Sequence, residues 1–130
     1  GFTVVGSSPL ISDLNGDGCK EGVVGTQSPD KRIYALVGRN GTKLWDYATN
    51  GHVDSSPAIA DVNADGTKDV IAGSSDNYVY AINGKDGTFI WRFNARGSVS
   101  TSPAISDLNG DGRNEIVVGT TTNNVLLVIQ

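Results

Sequence analysis

The sequence of 130 residues contains no methionine, one cysteine and one histidine, and only 18% of its residues are charged. A single cysteine excludes a disulfide within the chain. No apolar run approaches the roughly 20 residues that cross a bilayer, so we predict no membrane span. The low charge disfavours helical bundles and coiled coils, and an apolar content of 38% argues against disorder.

The formal net charge is −4, from 14 acidic and 10 basic residues. The basic residues form no run or stripe, so we expect no nucleic-acid partner. Nine of the acids fall in three short segments, residues 13–21, 61–69 and 107–115. Such crowding of carboxylates is unfavourable unless a cation lies among them. The chain starts at Gly1 without a signal or transit segment, and we expect it to be processed or excised material.

One unit recurs three times along the chain. The segment Ser8–Asp13 returns as Ser56–Asp61 and as Ser102–Asp107, at spacings of 48 and 46 residues. We therefore predict a single repeat domain over residues 1–130. Its repeats cover about 7–54, about 55–100 and about 101–130.

Each unit reads as four short strands separated by glycine-rich turns. Asn40-Gly41 and Asp86-Gly87 join the third and fourth strands, as in tight β-hairpins. Four-stranded units of this length are typical of β-propeller blades. The predicted fold is all-β, with two complete blades and three strands of a third that stops before its fourth strand. Because propellers typically have 4–8 blades, the single chain should not close a ring.

The predicted last strand, 125–129, is apolar on both faces, and exposed apolar edges are usually covered. Residues 2–5 form a short apolar strand candidate at the other end. We predict self-association through these open strands, as a ring or a filament. The alternative, left open, is that the chain is part of a longer propeller. The candidate self-association residues are Phe2, Val4, Leu126, Leu127, Val128 and Ile129.

The three acidic segments have oxygen-bearing side chains at loop positions 1, 3, 5 and 9, and glycine at position 6. This order suits Ca²⁺, which takes six to eight oxygen ligands, with position 7 offering its backbone carbonyl. Mg²⁺ demands tighter geometry, and Zn²⁺ would favour Cys or His. The alternative is a set of metal-free turns rich in Asn and Asp. We predict about three Ca²⁺ ions, one per repeat, on Asp13, Asn15, Asp17, Cys19, Glu21, Asp61, Asn63, Asp65, Thr67, Asp69, Asp107, Asn109, Asp111, Arg113 and Glu115.

Residues 11–18, followed by the segment 22–25, resemble FG-GAP repeats of the integrin α type, and the other two copies match equally well. That resemblance implies calcium-binding loops in extracellular propellers used in adhesion or in carbohydrate-related proteins. Residues 33–45 and 79–91 are similar to quinoprotein-type propeller repeats. Val37 and Asn83 replace the aspartate usual there, and the blades are too few for a quinone site, so redox activity is not expected to carry over.

Several single residues have both a structural and a functional interpretation. Trp45 and Trp91 are expected to pack between neighbouring blades, the alternative being to stack on a cofactor or sugar. His52 lies near serines and Asp54, but nothing resembles a nucleophile elbow. Asn40 begins a glycosylation sequon, although the hairpin turn explains it without a glycan. Cys19 is expected to be an incidental thiol.

The sequence therefore predicts a non-catalytic calcium-binding β-propeller module that associates with itself in a structural or adhesive role. We expect an extracellular or cell-surface location, since millimolar calcium saturates even weak loops. The alternative is a glycan- or protein-binding fragment of a larger surface propeller. A third hypothesis, a piece of a carbohydrate-active enzyme or quinoprotein, lacks an acid–base pair outside the calcium loops.

Overall fold

A computed structural model describes residues 9–54, residues 56–120 and the backbone of residues 126–129. Within these ranges every regular element is a β-strand, and no helix long and apolar enough to cross a membrane is present. The predicted contact residues Phe2 and Val4 lie outside the described residues. The strands are β1 Leu10–Ser12, β2 Glu21–Gly25, β3 Arg32–Val37, β4 Lys43–Ala48, β5 Ala58–Ala60, β6 Asp69–Gly73, β7 Tyr78–Asn83, β8 Phe89–Asn94, β9 Ala104–Ser106, β10 Glu115–Gly119 and β11 Leu126–Ile129.

The strands form three antiparallel sheets in which each strand pairs with the next along the chain. The orders are β1-β2-β3-β4 (blade 1), β5-β6-β7-β8 (blade 2) and β9-β10-β11 (blade 3). This arrangement confirms the predicted all-β fold with two four-stranded blades and three strands of a third. The blades form an open array rather than a closed ring.

The β3–β4 and β7–β8 hairpins have the same turn. In blade 1 the Gly41 amide donates to the Val37 carbonyl at 2.7 Å, and in blade 2 the Gly87 amide donates to the Asn83 carbonyl at 2.8 Å. Both glycines have positive φ, 72° and 76°, which side chains disfavour. The turn glycines recognised in the sequence are thus required by the backbone.

Blades 1 and 2 pack face to face. Because side chains alternate across a strand, each blade presents one set of residues to each neighbour. Blade 1 contributes the tryptophan of β4 and small and branched residues of β2 and β3, which meet β6 and β7 of blade 2. The residues are Val23, Ile33, Ala35, Trp45, Val70, Ala72, Tyr80 and Ile82.

Blade 2 uses its opposite face to pack on blade 3. Ile71, Val79 and Ala81 lie there in one cluster with Ile116 and Val118 of β10. Strands β6 and β7 are therefore buried on both faces, whereas β2 and β3 of blade 1 alternate between buried and half-buried residues.

Candidate metal centres

In each blade an acidic loop joins the first strand to the second: residues 13–21, 61–69 and 107–115. The carboxylate at position 1 organises the loop by accepting backbone N–H groups. Asp13 accepts from Gly16 at 2.8 Å and from Gly18 at 3.0 Å. Asp107 accepts from Gly110 at 2.7 Å and Gly112 at 2.9 Å. The chain thus folds back around this carboxylate.

The backbone conformation explains the glycines of these loops. Gly16 and Gly110 at position 4 have φ near 77°, and Gly18 and Gly112 at position 6 have φ of 84° and 85°. The second loop has Ala64 at position 4, with φ of 61°. Position 4 therefore has a positive φ in all three loops. An L-residue is strained in that conformation, so the alanine of the second loop suits it less well than the glycine of the other two.

The side chains at positions 3 and 5 each cap the backbone two residues further on. Asn15 accepts from the Asp17 amide at 3.1 Å, and Asp17 accepts from the Cys19 amide at 2.8 Å. The third loop repeats both bonds, with Asn109 accepting from Asp111 and Asp111 from Arg113. In the second loop, the hydrogen bonds of Thr67 to Asp65 lower the pKa of that carboxyl.

The acid at position 9 differs from the others because it is buried. Glu21, Asp69 and Glu115 are at most 2% exposed. In each, one carboxylate oxygen accepts the position-2 backbone N–H: from Leu14 at 2.8 Å, Val62 at 3.0 Å and Leu108 at 2.7 Å. The other oxygen of each carboxylate is buried without a hydrogen-bond partner.

Burial raises the pKa of Asp69 to about 6, and the charges of Asp65 and Asp61 act in the same direction, against the hydrogen bond from Val62. An unpartnered carboxylate in such a place is unfavourable. A cation beside the carboxylate would lower its pKa again, since an opposite charge favours the ionised form.

Two of the loops gather their acids closely enough to hold one ion. Carboxylate oxygens of Asp61, Asp65 and Asp69 lie within 4.8 Å of one another, as do those of Asp107, Asp111 and Glu115. The acids of the first loop, Asp13, Asp17 and Glu21, do not form such a group. An all-oxygen donor set with one buried orphaned carboxylate oxygen fits a hard cation.

The side chains at position 7 differ in chemistry and in contacts from loop to loop. The Cys19 thiol accepts a hydrogen bond from the Arg39 guanidinium at 2.9 Å. The Thr67 hydroxyl donates to Asp65 at 2.7 Å. The backbone-carbonyl role of Cys19, Thr67 and Arg113 stays a prediction.

Comparison with protein families matches residues 61–118 to the FG-GAP-like repeat model, a span that includes the second and third acidic loops. This part of the chain is therefore similar to an FG-GAP-like repeat. No curated protein matches the sequence significantly.

Solved structures share the fold of this chain. Quinohemoprotein alcohol dehydrogenase ADHIIG from Pseudomonas putida HK5 is 22% identical with a TM-score of 0.61, and the enzyme from Comamonas testosteroni is 16% identical with a TM-score of 0.60. Each match covers 90% of this chain and 17% of the enzyme. BamB from Moraxella catarrhalis is 16% identical with a TM-score of 0.54, over 97% of this chain and 44% of BamB. The chain is thus much shorter than these proteins, and the likeness shows a propeller fold.

The two tryptophans of the chain differ in their surroundings. Trp45 is 6% exposed, and its indole N–H donates to the Gly84 carbonyl of blade 2 at 2.7 Å, which confirms the predicted packing between blades. Trp91 is half-buried beside the cluster shared by blades 2 and 3.

Two other candidates make local contacts. His52 Nε2 lies 3.2 Å from the Ser28 hydroxyl, whereas Asp54 accepts from the Gln27 amide at 2.6 Å. Asn40 accepts from the amide and hydroxyl of Thr42 and so caps its turn.

Sequence reasoning missed a polar junction between blades 1 and 2. Asp76 of blade 2 accepts the Tyr80 hydroxyl at 2.5 Å and the backbone N–H of Asn50 in blade 1 at 3.1 Å. An aspartate four residues before a tyrosine recurs as Asp30 and Tyr34, which also share a hydrogen bond. That recurring pair was the available signal.

Proposed function

We propose that the protein is a non-catalytic, calcium-stabilised propeller module in which each acidic loop binds one Ca²⁺. The observation that carries this proposal is the position-9 carboxylate. In all three loops it is buried with one oxygen bound to the backbone and the other orphaned. Burying a carboxylate in this way destabilises the fold unless its second oxygen coordinates a cation.

The donor set supports Ca²⁺ over other ions. The predicted ligands are carboxylate, amide and carbonyl oxygens, which Ca²⁺ takes in flexible geometry. Nitrogen or sulfur ligands that favour Zn²⁺ are limited to Cys19, which instead contacts Arg39. Among the acids of the loops only the one at position 9 is buried, while those at positions 1 and 5 are half-buried or exposed, so an ion would enter from solvent without opening the core.

The role we propose for the ion is structural. Each position-9 acid begins the second strand of its blade, and its backbone bond closes the loop onto that strand. Weak calcium loops are filled at the millimolar calcium outside cells, which supports an extracellular or cell-surface location.

We also propose that copies of the chain associate through β11. In the described part of blade 3, β11 is the edge of the sheet, with β10 as its one paired neighbour. Residues 126–129, Leu-Leu-Val-Ile, are uncharged, and an exposed apolar edge strand is a template for pairing with another chain. Only the backbone of these residues is described.

Calorimetric titration of the chelator-treated protein with Ca²⁺ tests the metal proposal. We expect about three ions bound per chain and a Tm that rises with calcium concentration. A titration with Mg²⁺ is the control for ion type, and we expect weaker heats. Identical melting curves in chelator and in millimolar calcium would contradict the proposal.

Light scattering tests the association. We expect a particle mass above that of one chain, and Leu127→Lys should reduce it to the monomer while calcium binding is retained. An unchanged mass in the variant would contradict the role of β11.

A further inference from the structure

The interface between blades 1 and 2 contains a fitted indole site. The Trp45 side chain lies on the β7–β8 turn, donating to the Gly84 carbonyl at 2.7 Å. A Cβ atom at Gly87 would lie 2.8 Å from Cβ and Cγ of Trp45. No side chain larger than hydrogen fits at that position while the indole is present.

Blade 1 carries the same turn without an indole on it. Gly38 and Gly41 correspond to Gly84 and Gly87, with matching backbone hydrogen bonds: Gly38 donates to the Lys20 carbonyl at 3.0 Å and Gly84 to that of Lys68 at 3.1 Å. Gly84 is buried, but Gly38 is exposed. A Cβ atom at Gly41 would meet nothing within 4 Å in the described structure.

The polar junction is duplicated in the same way. Asp76 receives the Tyr80 hydroxyl from its own blade and the Asn50 N–H from the preceding blade. Asp30 receives the Tyr34 hydroxyl at 2.5 Å and interacts with side chains of its own blade. Tyr34 is half-buried, whereas Tyr80 is 2% exposed.

The remaining residues of this surface follow from strand register. Val24 pairs with Tyr34, and Gly22 with Leu36. Their neighbours Val23 and Ala35 face blade 2, so alternation places these two pairs on the opposite side of blade 1. They correspond to Ala72 with Tyr80 and to Val70 with Ile82, the residues of blade 2 that pack on blade 1. We call this side, with its Gly38–Gly41 turn and Asp30, the open face of blade 1.

We propose that the open face of blade 1 binds a four-stranded blade whose outermost strand carries a tryptophan with an aromatic residue two positions later. The indole would lie on Gly41 and donate to the Gly38 carbonyl, and the connector after that strand would offer a backbone N–H to Asp30. The aromatic requirement follows from β4, where Tyr47 packs against Tyr80 with ring centroids 5.8 Å apart.

Blade 3 of a second copy does not meet this description. Residues 101–130 contain no tryptophan, and Trp45 and Trp91 are packed within their own chain. The open face is therefore a different surface from β11, and its partner is a tryptophan-bearing blade. This inference is independent of self-association through β11.

A tandem chain tests the proposal: residues 1–54 followed by residues 7–130. The duplication keeps the repeat register, because Ser7-Ser8-Pro9 then follows Asp54 as Ser55-Ser56-Pro57 does. The blade in front brings a Trp45 to the second copy's Gly41. We expect a higher Tm than for the parent chain and one additional indole N–H protected from hydrogen exchange.

Matched asparagine variants locate the contact, because asparagine tolerates positive φ. Gly41→Asn should barely change the Tm of the parent chain. The same substitution in the second copy of the tandem chain should lower the Tm by about 5 °C or more. Gly87→Asn in the parent chain should have an effect of similar size.

Equal effects of Gly41→Asn in the two chains would overturn the proposal, as would a tandem chain that fails to fold or gains no protected indole. The particle mass of the parent carrying Gly41→Asn separates the two proposals. It should be unchanged if copies associate through β11.

Discussion

Asp69→Asn should change stability in opposite directions with and without calcium. In the calcium-free protein the buried carboxylate has a pKa raised from 3.8 to about 6. Since the folded-state pKa is the higher one, the ionised group destabilises the fold above pH 6, and that penalty disappears as the pH falls through 6 toward 4. The rise corresponds to at most about 3 kcal/mol, which we reduce to about 1–2 kcal/mol for solvent screening.

Asparagine removes this charge and keeps an oxygen that can accept the Val62 N–H. At pH 7.5 in chelator we therefore expect the Tm to rise by about 5 °C. In millimolar calcium the variant loses a ligand, and with it up to about 2.7 kcal/mol of linkage if the free ion exceeds its Kd a hundredfold. The Tm should then fall by about 5–10 °C.

Differential scanning calorimetry of both proteins in both buffers measures these shifts. Asp86→Asn is the matched control, because Asp86 caps its hairpin turn as Asn40 does in blade 1 and belongs to no acidic loop. We expect small changes of equal sign for the control. If Asp69→Asn were destabilising in chelator as well as in calcium, the carboxylate would not be an unsatisfied charge and the metal argument would fail.

Three further predictions concern the strained loop, the inter-blade tryptophan and the Tyr34 hydroxyl. Ala64→Gly should stabilise the protein by about 0.5–1 kcal/mol in urea unfolding by relieving a positive φ, and a loss of stability would contradict the strain. Trp45→Ala should cost about 3–5 kcal/mol in the same assay, and Trp91→Ala clearly less, because Trp91 is half-buried; equal losses would be inconsistent with this packing. In alkaline spectrophotometric titration Tyr34 should ionise near pH 12, because its hydrogen bond to Asp30 raises the pKa of the hydroxyl to about 12. The stability that this hydrogen bond contributes should be lost between pH 10 and 12. Tyr34→Phe should remove the ionisation step near pH 12.

The repeat made most of the fold predictable from sequence. Three copies of one segment fixed the number of blades, and turn dipeptides such as Asn40-Gly41 located the hairpins. The loop pattern likewise located the acids. The pattern did not show that Asp69 is buried with one oxygen bound to the backbone, because the spacing of acids along the sequence is the same whether a carboxylate is exposed or buried.

The differences between blades were also hidden from the sequence. Strands β2 and β6 have similar apolar character, yet only β6 is buried on both faces, since burial depends on how many blades pack against a strand. The Asp76–Asn50 contact joins a side chain to a backbone amide 26 residues away, and a backbone donor leaves no mark on residue type.

The burial of β6 and β7 on both faces makes the middle of the array its most slowly opening part. Local unfolding of blade 1 or blade 3 exposes one interface, but opening blade 2 exposes two. Native-state amide exchange should therefore be slowest at Ile71 and Val79 and become faster toward either end of the described chain. A proteolytic cut in an outer blade would leave one interface intact, whereas a cut in the central blade would abolish both.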